Sequence, residues 1–434
     1  MIKFKFFTVK VLILLALYKL LLDFGYMNYV YPVFSYSGFD LDFNLLRYVY
    51  GWLMVVFGIF ALERKSRNSL IYILFVVYLS LILPSSTYYA MGGGNGASYW
   101  TNCAAFFTVV LCLPTVKLTR QAFSSVKVVP GVMLAVFVFY IACLGYSMLS
   151  AQGAYVVNFA DVYSYRAEHL ERLRGVFGYF INWCMKVIAP FMLSIALIRR
   201  STSAIVSAVI LILALYAFSG HKSALVTIPL CFVFFFFLKD YASWRSDKFF
   251  VAFLASLIVL VGSSYLLFDY FEYVTPLSLV RRALFLPAYL NVVYFDYFSV
   301  VDFVYWANSF LASFVQYQFY GSVAHEIGAH IGHAEMWANT GFIASGFMQA
   351  GYWGVALYAV VMLVLNYFIS KVAVAVHPVI LNSLIAMPYL TLFISSDLPT
   401  TFLTHGFVLS VVLLLSCSHL INGNARLPDC PTVE

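Results

Sequence analysis

A short polar stretch, HEIGAHIGHAEMWANTGF at residues 325–342, carries three histidines and two glutamates within eleven positions of an otherwise apolar chain. In zinc peptidases, two histidines four residues apart on a helix face one metal ion, and a glutamate beside them acts as the base. Here His325 and His330 are five residues apart, about 140° around a helix. His330 and His333 would share a helix face, but two glycines weaken the helix. We therefore expect no metal ion here, and an intramembrane metalloprotease is disfavoured.

The composition indicates which elements must position these residues. Of the 434 residues, 63% are hydrophobic and 10% are charged, and the mean hydropathy is +0.92. These values exclude a soluble domain. The seven cysteines are spread singly and suggest neither a disulfide nor a zinc knuckle. We predict an all-α polytopic integral membrane protein that forms one membrane domain over residues 1–434, with an uncleaved first helix.

About twelve apolar segments have the length of a bilayer crossing. They lie at residues 7–24, 45–62, 69–88, 100–116, 128–149, 175–198, 203–219, 223–238, 249–268, 346–370, 374–395 and 402–421. Basic connections such as ERKSR at 63–67 and KDYASWRSDK at 239–248 fall on one side. Because cytoplasmic loops carry an excess of lysine and arginine, both termini are predicted to be cytoplasmic.

The basic residues on the opposite face are informative, because few are expected there. They are Arg47, Arg166, Arg172, Arg174, Lys222, Arg281 and Arg282. Lys186 lies inside an apolar segment, where a charge is costly and is a functional candidate by default. The alternative for each loop arginine is a solvated charge. The first loop could also be a surface helix in which Glu168 pairs with Arg172.

Two long polar segments lie on that face, at about 150–175 and 269–345. The arginines of the first could form an anion site, because guanidinium groups grip phosphate oxygens bidentately. The second is rich in tyrosine and phenylalanine. Aromatic residues are ordinary at a membrane interface, but their rings also stack on the apolar faces of sugars. Together these features favour a lipid-linked glycan over an ion as the ligand.

Three further stretches carry a resemblance to a known family. They are SGHKSAL at 219–225, RRALFLPAYLNVVYFDYFS at 281–299 and ANTGFIASGFMQAGYWGV at 338–355. With the helix number and the two long external segments, the chain resembles the Wzy-type family of O-antigen and capsule repeat-unit polymerases, which is related to the O-antigen ligases. The glycines of the third stretch could alternatively be small-residue packing sites between helices.

The resemblance implies a GT-C-type glycosyltransferase fold with two large periplasmic loops, in the bacterial inner membrane. Such an enzyme transfers the growing glycan from undecaprenyl pyrophosphate onto a new lipid-linked repeat unit at the periplasmic face. It implies a metal-independent reaction without a cofactor. The expected partners are the lipid-linked oligosaccharide, the bilayer, a chain-length regulator and a flippase, and no nucleic acid.

The resemblance also implies roles for individual residues. Arginines would stabilise the departing pyrophosphate, and a histidine and a glutamate would contact the substrate or accept the acceptor's proton. The residues expected in catalysis are Arg166, Arg172, Arg282, His333 and Glu335. Those expected to bind substrate are Arg47, Arg174, His221, Lys222, Arg281, His330 and Asn339.

The alternatives for these residues and for the function stay open at this stage. The polar residues of 325–342 could cap the next helix, Asn339 could be its N-cap, and Lys222 could snorkel to the interface. An O-antigen ligase would share the fold and donor but use lipid A-core as acceptor. A transporter would place charges within discontinuous helices. The sequence shows only Lys19 and Lys186 inside apolar segments, and no convincing internal repeat.

Overall fold

The computed structural model describes residues 7–116, 122, 128–157, 162, 165, 168, 175–244, 246–309 and 311–417. This part of the chain is helical and contains no β-strand, apart from an isolated bridge between Asp42 and Gly92. The predicted all-α class is therefore confirmed for the described residues.

Several helices of the first half are joined by π-helical turns. The helices of this half are α1 (Val9–Gly25), α2 (Tyr31–Phe34), α3 (Leu45–Arg64), α4 (Ile71–Val77), α5 (Leu83–Met91), α6 (Gly96–Leu111), α7 (Pro130–Ser150), α8 (Val176–Trp183), α9 (Ala189–Ile198) and α10 (Thr202–Ser219).

The helices of the second half include one long kinked element and two short helices at the C-terminal end. They are α11 (Ser223–Leu238), α12 (Tyr241–Trp244), α13 (Lys248–Phe271), α14 (Val274–Val280), α15 (Leu286–Phe298), α16 (Val323–His330), α17 (Phe342–Val372), α18 (Pro378–Ile394), α19 (Leu398–Leu403) and α20 (Phe407–Ser416).

The structure also describes four π-helical turns and two 3₁₀ turns. The π-helical turns are Tyr26–Val30, Tyr78–Ile82, Cys184–Ile188 and Arg281–Phe285, and the 3₁₀ turns are Ser35–Ser37 and Ala373–Ala375. π-helical turns are rare in proteins, and those that occur are often found at functional sites. The turns that contain Lys186 and Arg281 are therefore candidate functional positions.

Eight helical segments of the described chain are long and apolar enough to cross a membrane. They are Leu45–Arg64, Ile71–Met91, Pro130–Ser150, Val176–Ile198, Thr202–Ser219, Lys248–Phe271, Phe342–Ala375 and Leu398–Ser416. These segments are those of a multi-pass membrane protein. The other four predicted crossings coincide with the shorter helices α1, α6, α11 and α18, of 16 or 17 residues each. The number of twelve crossings stays a prediction.

The chain packs as two compact units. Unit 1 comprises residues 1–115, 245–367 and 390–399, and unit 2 comprises residues 116–244, 368–389 and 400–434. The interpretation of the chain as one membrane domain stays a prediction.

The core of each unit contains packed aromatic side chains. In unit 1 the rings of Tyr72 and Phe250 stack with centroids 5.4 Å apart. In unit 2 the buried hydroxyl of Tyr140 donates to the carbonyl of Leu211 at 3.0 Å. Aromatic burial of this kind holds the helices of each unit together.

The long helix α17 bends sharply in the glycine-rich stretch. Ala350 and Gly351 leave the helical conformation, and Gly351 has a φ of +59°. A Cβ atom on Gly354 would lie 2.0 Å from the carbonyl oxygen of Gly346. Glycine is therefore needed at 354 for close packing and at 351 for the backbone turn. Residues 342–349 form a buried helical segment ahead of the bend.

The second long polar segment, 269–345, is more ordered than a loop. It contains α14, a π-helical turn, α15 and α16. The backbone amides of Val304 and Tyr305 donate to the carbonyls of Met348 and Gln349 at 3.0 and 2.9 Å. This pairing fixes the chain beside the bend of α17.

Candidate functional site

The arginines predicted in the first polar segment, Arg166, Arg172 and Arg174, lie outside the described residues. Their roles in catalysis and substrate binding stay predictions.

The paired arginines of the second segment occupy a π-helical turn in unit 1 and have different surroundings. Arg281 is partly buried, and its Nη1 donates to the Ser37 hydroxyl at 2.9 Å. Its guanidinium carbon lies 4.4 Å from the ring centroid of Phe34. Burial lowers the pKa of Arg281 from its usual value. Arg282 is exposed, so it is the one of the pair that a ligand can approach from solvent.

Arg47 lies in the first turn of α3, also in unit 1. Its backbone amide donates to the Asn44 side chain, which caps the helix. The guanidinium Nη1 is 3.6 Å from a carboxylate oxygen of Asp42. The guanidinium carbon is 5.7 Å from the ring centroid of Tyr89. Arg47 is thus held by an acid and an aromatic ring.

The stretch that suggested a metal site forms the short helix α16. The Ser322 hydroxyl accepts from the backbone amide of His325 at 3.3 Å and caps the helix. The helix ends at His330, and Gly332 adopts a left-handed φ of +80°. The prediction that His330 and His333 share a helix face is therefore wrong, because the chain turns back before His333.

Gly328 is the reason for this compact turn. A Cβ atom there would lie 2.3 Å from the carbonyl oxygen of Met336, so the returning chain rests against the helix at a position only glycine can occupy. Among the described residues, no group of three or more His, Cys, Asp or Glu side chains is placed to hold a metal ion.

The other predicted residues of this stretch differ in their exposure and contacts. His330 is exposed, with its ring centroid 5.0 Å from that of Tyr297. Glu335 and Asn339 are exposed, and His333 is partly buried. Within the described part of the chain, no hydrogen bond or ion pair joins His330, His333 and Glu335. Their roles in catalysis and substrate binding stay predictions.

Unit 2 brings basic side chains together from three parts of the chain. The Nζ atom of Lys186, on the π-helical turn between α8 and α9, is 2.9 Å from Nδ1 of His405. His405 also lies within electrostatic range of His221. Lys222 follows His221 at the junction of α10 and α11. We call Lys186, His221 and His405 the cationic cluster.

The helices around the cationic cluster are irregular at this point. Residues 404–406 separate α19 from α20, and Gly406 has a φ of +76°. The indole of Trp183 donates to the carbonyl of Leu403 at 2.6 Å. The Thr227 hydroxyl donates to the carbonyl of Met185 at 3.3 Å. These bonds satisfy carbonyl groups that the helix breaks release.

The 2.9 Å contact between Lys186 and His405 has no direction of its own, because it depends on the protonation of both groups. If Lys186 is charged, its ammonium group can only donate, and Nδ1 of His405 accepts from it. A neutral imidazole in that state carries its proton on Nε2, which becomes a donor. The charged state of the pair would thus present a positive charge and a hydrogen-bond donor together, which suits an anion such as a phosphate.

Comparisons of the chain with models of protein families, with curated proteins and with solved structures found no match.

Two residues of the described sites were missed in the sequence. His405 stands in an apolar segment, so its isolation among hydrophobic residues was the available signal. Asp397 stands between two apolar segments. The Ser345 hydroxyl and the amide of Leu398 donate to its Oδ1 at 2.9 and 2.7 Å. Burial raises the pKa of Asp397 above its usual value, although these donors oppose the shift.

Asp397 belongs to a polar network at the bend of α17. Nε2 of Gln349 donates to Oδ2 of Asp397 at 3.5 Å. The side-chain oxygen of Gln349 accepts from the backbone amide of Trp306 at 2.6 Å. The Trp306 indole donates to the Tyr358 hydroxyl at 2.8 Å. The network ties residues 305–306 to α17 and explains why two non-glycine residues there hold a left-handed backbone.

Proposed function

We propose that the chain is a polymerase of undecaprenyl-pyrophosphate-linked oligosaccharide repeat units, such as those of O-antigen or a related surface polysaccharide. It would transfer the growing glycan onto a new lipid-linked unit at the periplasmic face of the bacterial inner membrane. The reaction class is glycosyl transfer in a GT-C-type membrane enzyme. The family resemblance in the sequence supplies this reaction class.

The observation that carries the proposal is the contact of Lys186 with His405 beside His221. A buried lysine is costly in a membrane protein and is retained where it has a function. In glycosyl transfer from a lipid pyrophosphate, negative charge develops on the leaving oxygen. Preorganised cations and donors stabilise that charge more in a low-dielectric site than in water. The cationic cluster has the composition that this step requires without a metal ion.

Each member of the cluster has a distinct proposed role. Lys186 contributes the positive charge, and its contact fixes the tautomer of His405. His405 donates from Nε2 to a pyrophosphate oxygen. His221 and Lys222, at the helix junction predicted to face the periplasm, supply further donors. The predicted arginines Arg166, Arg172 and Arg174 belong to the same sequence region as unit 2 and would add guanidinium contacts to the phosphates.

Deleting the gene in its host tests the proposal. We expect the surface polysaccharide to remain capped by a single repeat unit, because ligation continues while chain growth stops. Surface glycan resolved on a gel gives the readout, and complementation with the intact gene is the control. A strain with no attached glycan at all would indicate an O-antigen ligase instead. An unchanged ladder would contradict both functions.

A transporter is the second candidate, and one observation favours it. Lys186 lies on a π-helical turn and His405 lies at a break between two helices. Transporters build ion and substrate sites from interrupted helices of this kind. Proteoliposomes that contain the purified chain distinguish the two functions. A substrate-dependent current without glycan products would indicate a transporter, and glycan products without a current would indicate the polymerase.

A further inference from the structure

A narrow cleft lies in unit 1 between α5, α6 and α15. The volume of its cavity is about 10 Å³. The enclosed part has room for one group of the size of a water molecule. The glycine-rich connection from α5 to α6, residues 92–95, runs beside it. This connection is on the face predicted to be periplasmic.

Three polar side chains in the wall of the cleft have unused hydrogen-bonding capacity. They are Ser85, Tyr99 and Asn102, exposed by only 5%, 2% and 1%. The Ser85 hydroxyl, the Tyr99 hydroxyl and Oδ1 of Asn102 find no hydrogen-bond partner among the described residues. The Tyr99 hydroxyl can donate a hydrogen bond to the thiol of Cys103, but sulfur is a weak acceptor, and an oxygen acceptor would replace it. Buried polar groups are almost always satisfied, so three together indicate a missing partner.

The chemistry of the three atoms defines that partner. Tyr99 can donate, Oδ1 of Asn102 can only accept, and Ser85 can do either. A hydroxyl group, which accepts from Tyr99 and donates to Asn102, satisfies both. Ala288 and Val292 also line the cleft. They suit the C–H groups of the carbon that bears the hydroxyl.

We propose that this cleft is a carbohydrate subsite that receives one hydroxyl group of a sugar in the lipid-linked glycan. The identity of the parent glycan rests on the proposed function. The aromatic surroundings favour a sugar over another alcohol, because tyrosine rings pack against pyranose C–H surfaces. Tyr89 lines the cleft, and its ring also packs beside the guanidinium of Arg47 at 5.7 Å. The subsite therefore adjoins a predicted substrate-binding arginine.

An ordered water molecule is the rival occupant, since it offers the same donor and acceptor. The full-length chain in lipid nanodiscs separates the two occupants. Saturation-transfer NMR is recorded with D-glucose, D-galactose and N-acetyl-D-glucosamine as probes, in concentration series. We expect binding of at least one sugar to the wild type. Tyr99→Phe removes only the hydroxyl, and Asn102→Leu removes the acceptor. Each should weaken the apparent Kd about fivefold, as loss of one neutral hydrogen bond does.

Tyr265→Phe is the matched control. Tyr265 is also in unit 1, and its buried hydroxyl likewise finds no hydrogen-bond partner among the described residues, but it lies outside the cleft. This variant should bind the sugar as the wild type does. Should Asn102→Leu fail to fold, Tyr99→Phe with its control is sufficient.

Two outcomes overturn the subsite. If none of the sugars binds the wild type, the cleft holds water only. If a sugar binds equally to wild type and Tyr99→Phe, its hydroxyl is elsewhere. Both outcomes are independent of chain growth in cells, so failure of the subsite leaves the gene-deletion result untouched. Conversely, sugar binding with an unchanged glycan ladder would retain the subsite and reject the polymerase.

Discussion

At the scale of single residues, the contact of Lys186 with His405 has the most direct consequence. If the pair stabilises a departing pyrophosphate, Lys186→Met and His405→Ala should each slow chain growth about a hundredfold, as loss of one preorganised transition-state contact does. Glycan ladders from cells with equal amounts of each protein give the measurement.

Lys10→Met is the control for this pair. Lys10 is an exposed lysine of α1, so its loss should leave the ladder unchanged. Normal chain length in both Lys186→Met and His405→Ala would remove the cationic cluster from the mechanism.

Arg282 and Arg281 offer a comparison within one π-helical turn. Arg282 is exposed, whereas Arg281 is bound to Ser37 and packed on Phe34. We expect Arg282→Ala to abolish polymerisation while the protein folds normally. Arg281→Ala should instead lower the amount of folded protein, because it removes buried packing as well as charge. Equal protein levels and equal ladders in the two variants would contradict this assignment.

Asp397 predicts a pH dependence of stability. Burial raises its pKa in the folded protein above the usual 3.8. At pH values between the pKa of Asp397 in the unfolded protein and its higher pKa in the folded protein, the folded state binds more protons than the unfolded state. Lowering the pH through this range therefore stabilises the folded protein. The wild type should therefore gain thermal stability relative to Asp397→Asn as the pH falls toward 4. Unfolding temperatures of both proteins across that range give the measurement, and a constant difference would contradict it.

At the scale of elements, the bend of α17 depends on particular glycines. Gly354→Ala should destabilise the protein by about 2–4 kcal/mol, because its Cβ atom would collide with the carbonyl of Gly346. Gly262→Ala, in α13, is the matched control, since nothing lies within 4 Å of its Cβ position. It should be neutral or stabilise the helix by up to about 1 kcal/mol. Unfolding temperatures in detergent compare the two, and equal losses would contradict the packing.

The helices themselves were readable from the sequence, and their interruptions were not. Apolar length located the long helices such as α3, α7 and α13, because the bilayer thickness sets the length of a membrane helix. The helices α14, α15 and α16 lie in the segment 269–345, which was predicted as a loop. The π-helical turn at Lys186 and the break at His405 left no comparable pattern. They depend on partners such as Thr227 and Trp183, which are remote in sequence. His405 was therefore missed, and its pairing with Lys186 could not be predicted.

The histidine-rich stretch at 325–342 shows where a prediction from local spacing fails. The spacing of His325 and His330, five residues or about 140° around a helix, argues against a zinc peptidase helix, and the absence of a metal stays a prediction. The path after His330 was predicted wrongly, since the turn at Gly332 and the packing of Gly328 against Met336 come from tertiary contacts. Local periodicity carries no information about a chain that folds back on itself.

At the scale of the whole molecule, the proposed function requires the predicted orientation. Glu335 and Arg200 are both exposed, and they are predicted to lie on opposite faces. A membrane-impermeant thiol reagent should label Glu335→Cys in intact cells but not Arg200→Cys, with the parent chain as the control for native cysteines. Labelling of Arg200→Cys alone would invert the topology and contradict a periplasmic reaction.

The most direct test of polymerisation uses the purified chain in nanodiscs with an undecaprenyl-pyrophosphate-linked repeat unit. The account predicts a ladder of lengthened lipid-linked glycans, release of undecaprenyl pyrophosphate, and the same yield in EDTA. Lys186→Met should give no ladder. Transfer only onto lipid A-core would identify a ligase, and loss of activity in EDTA would contradict a metal-independent reaction. If the wild type produces no lengthened glycan from its own lipid-linked unit, the central claim is wrong.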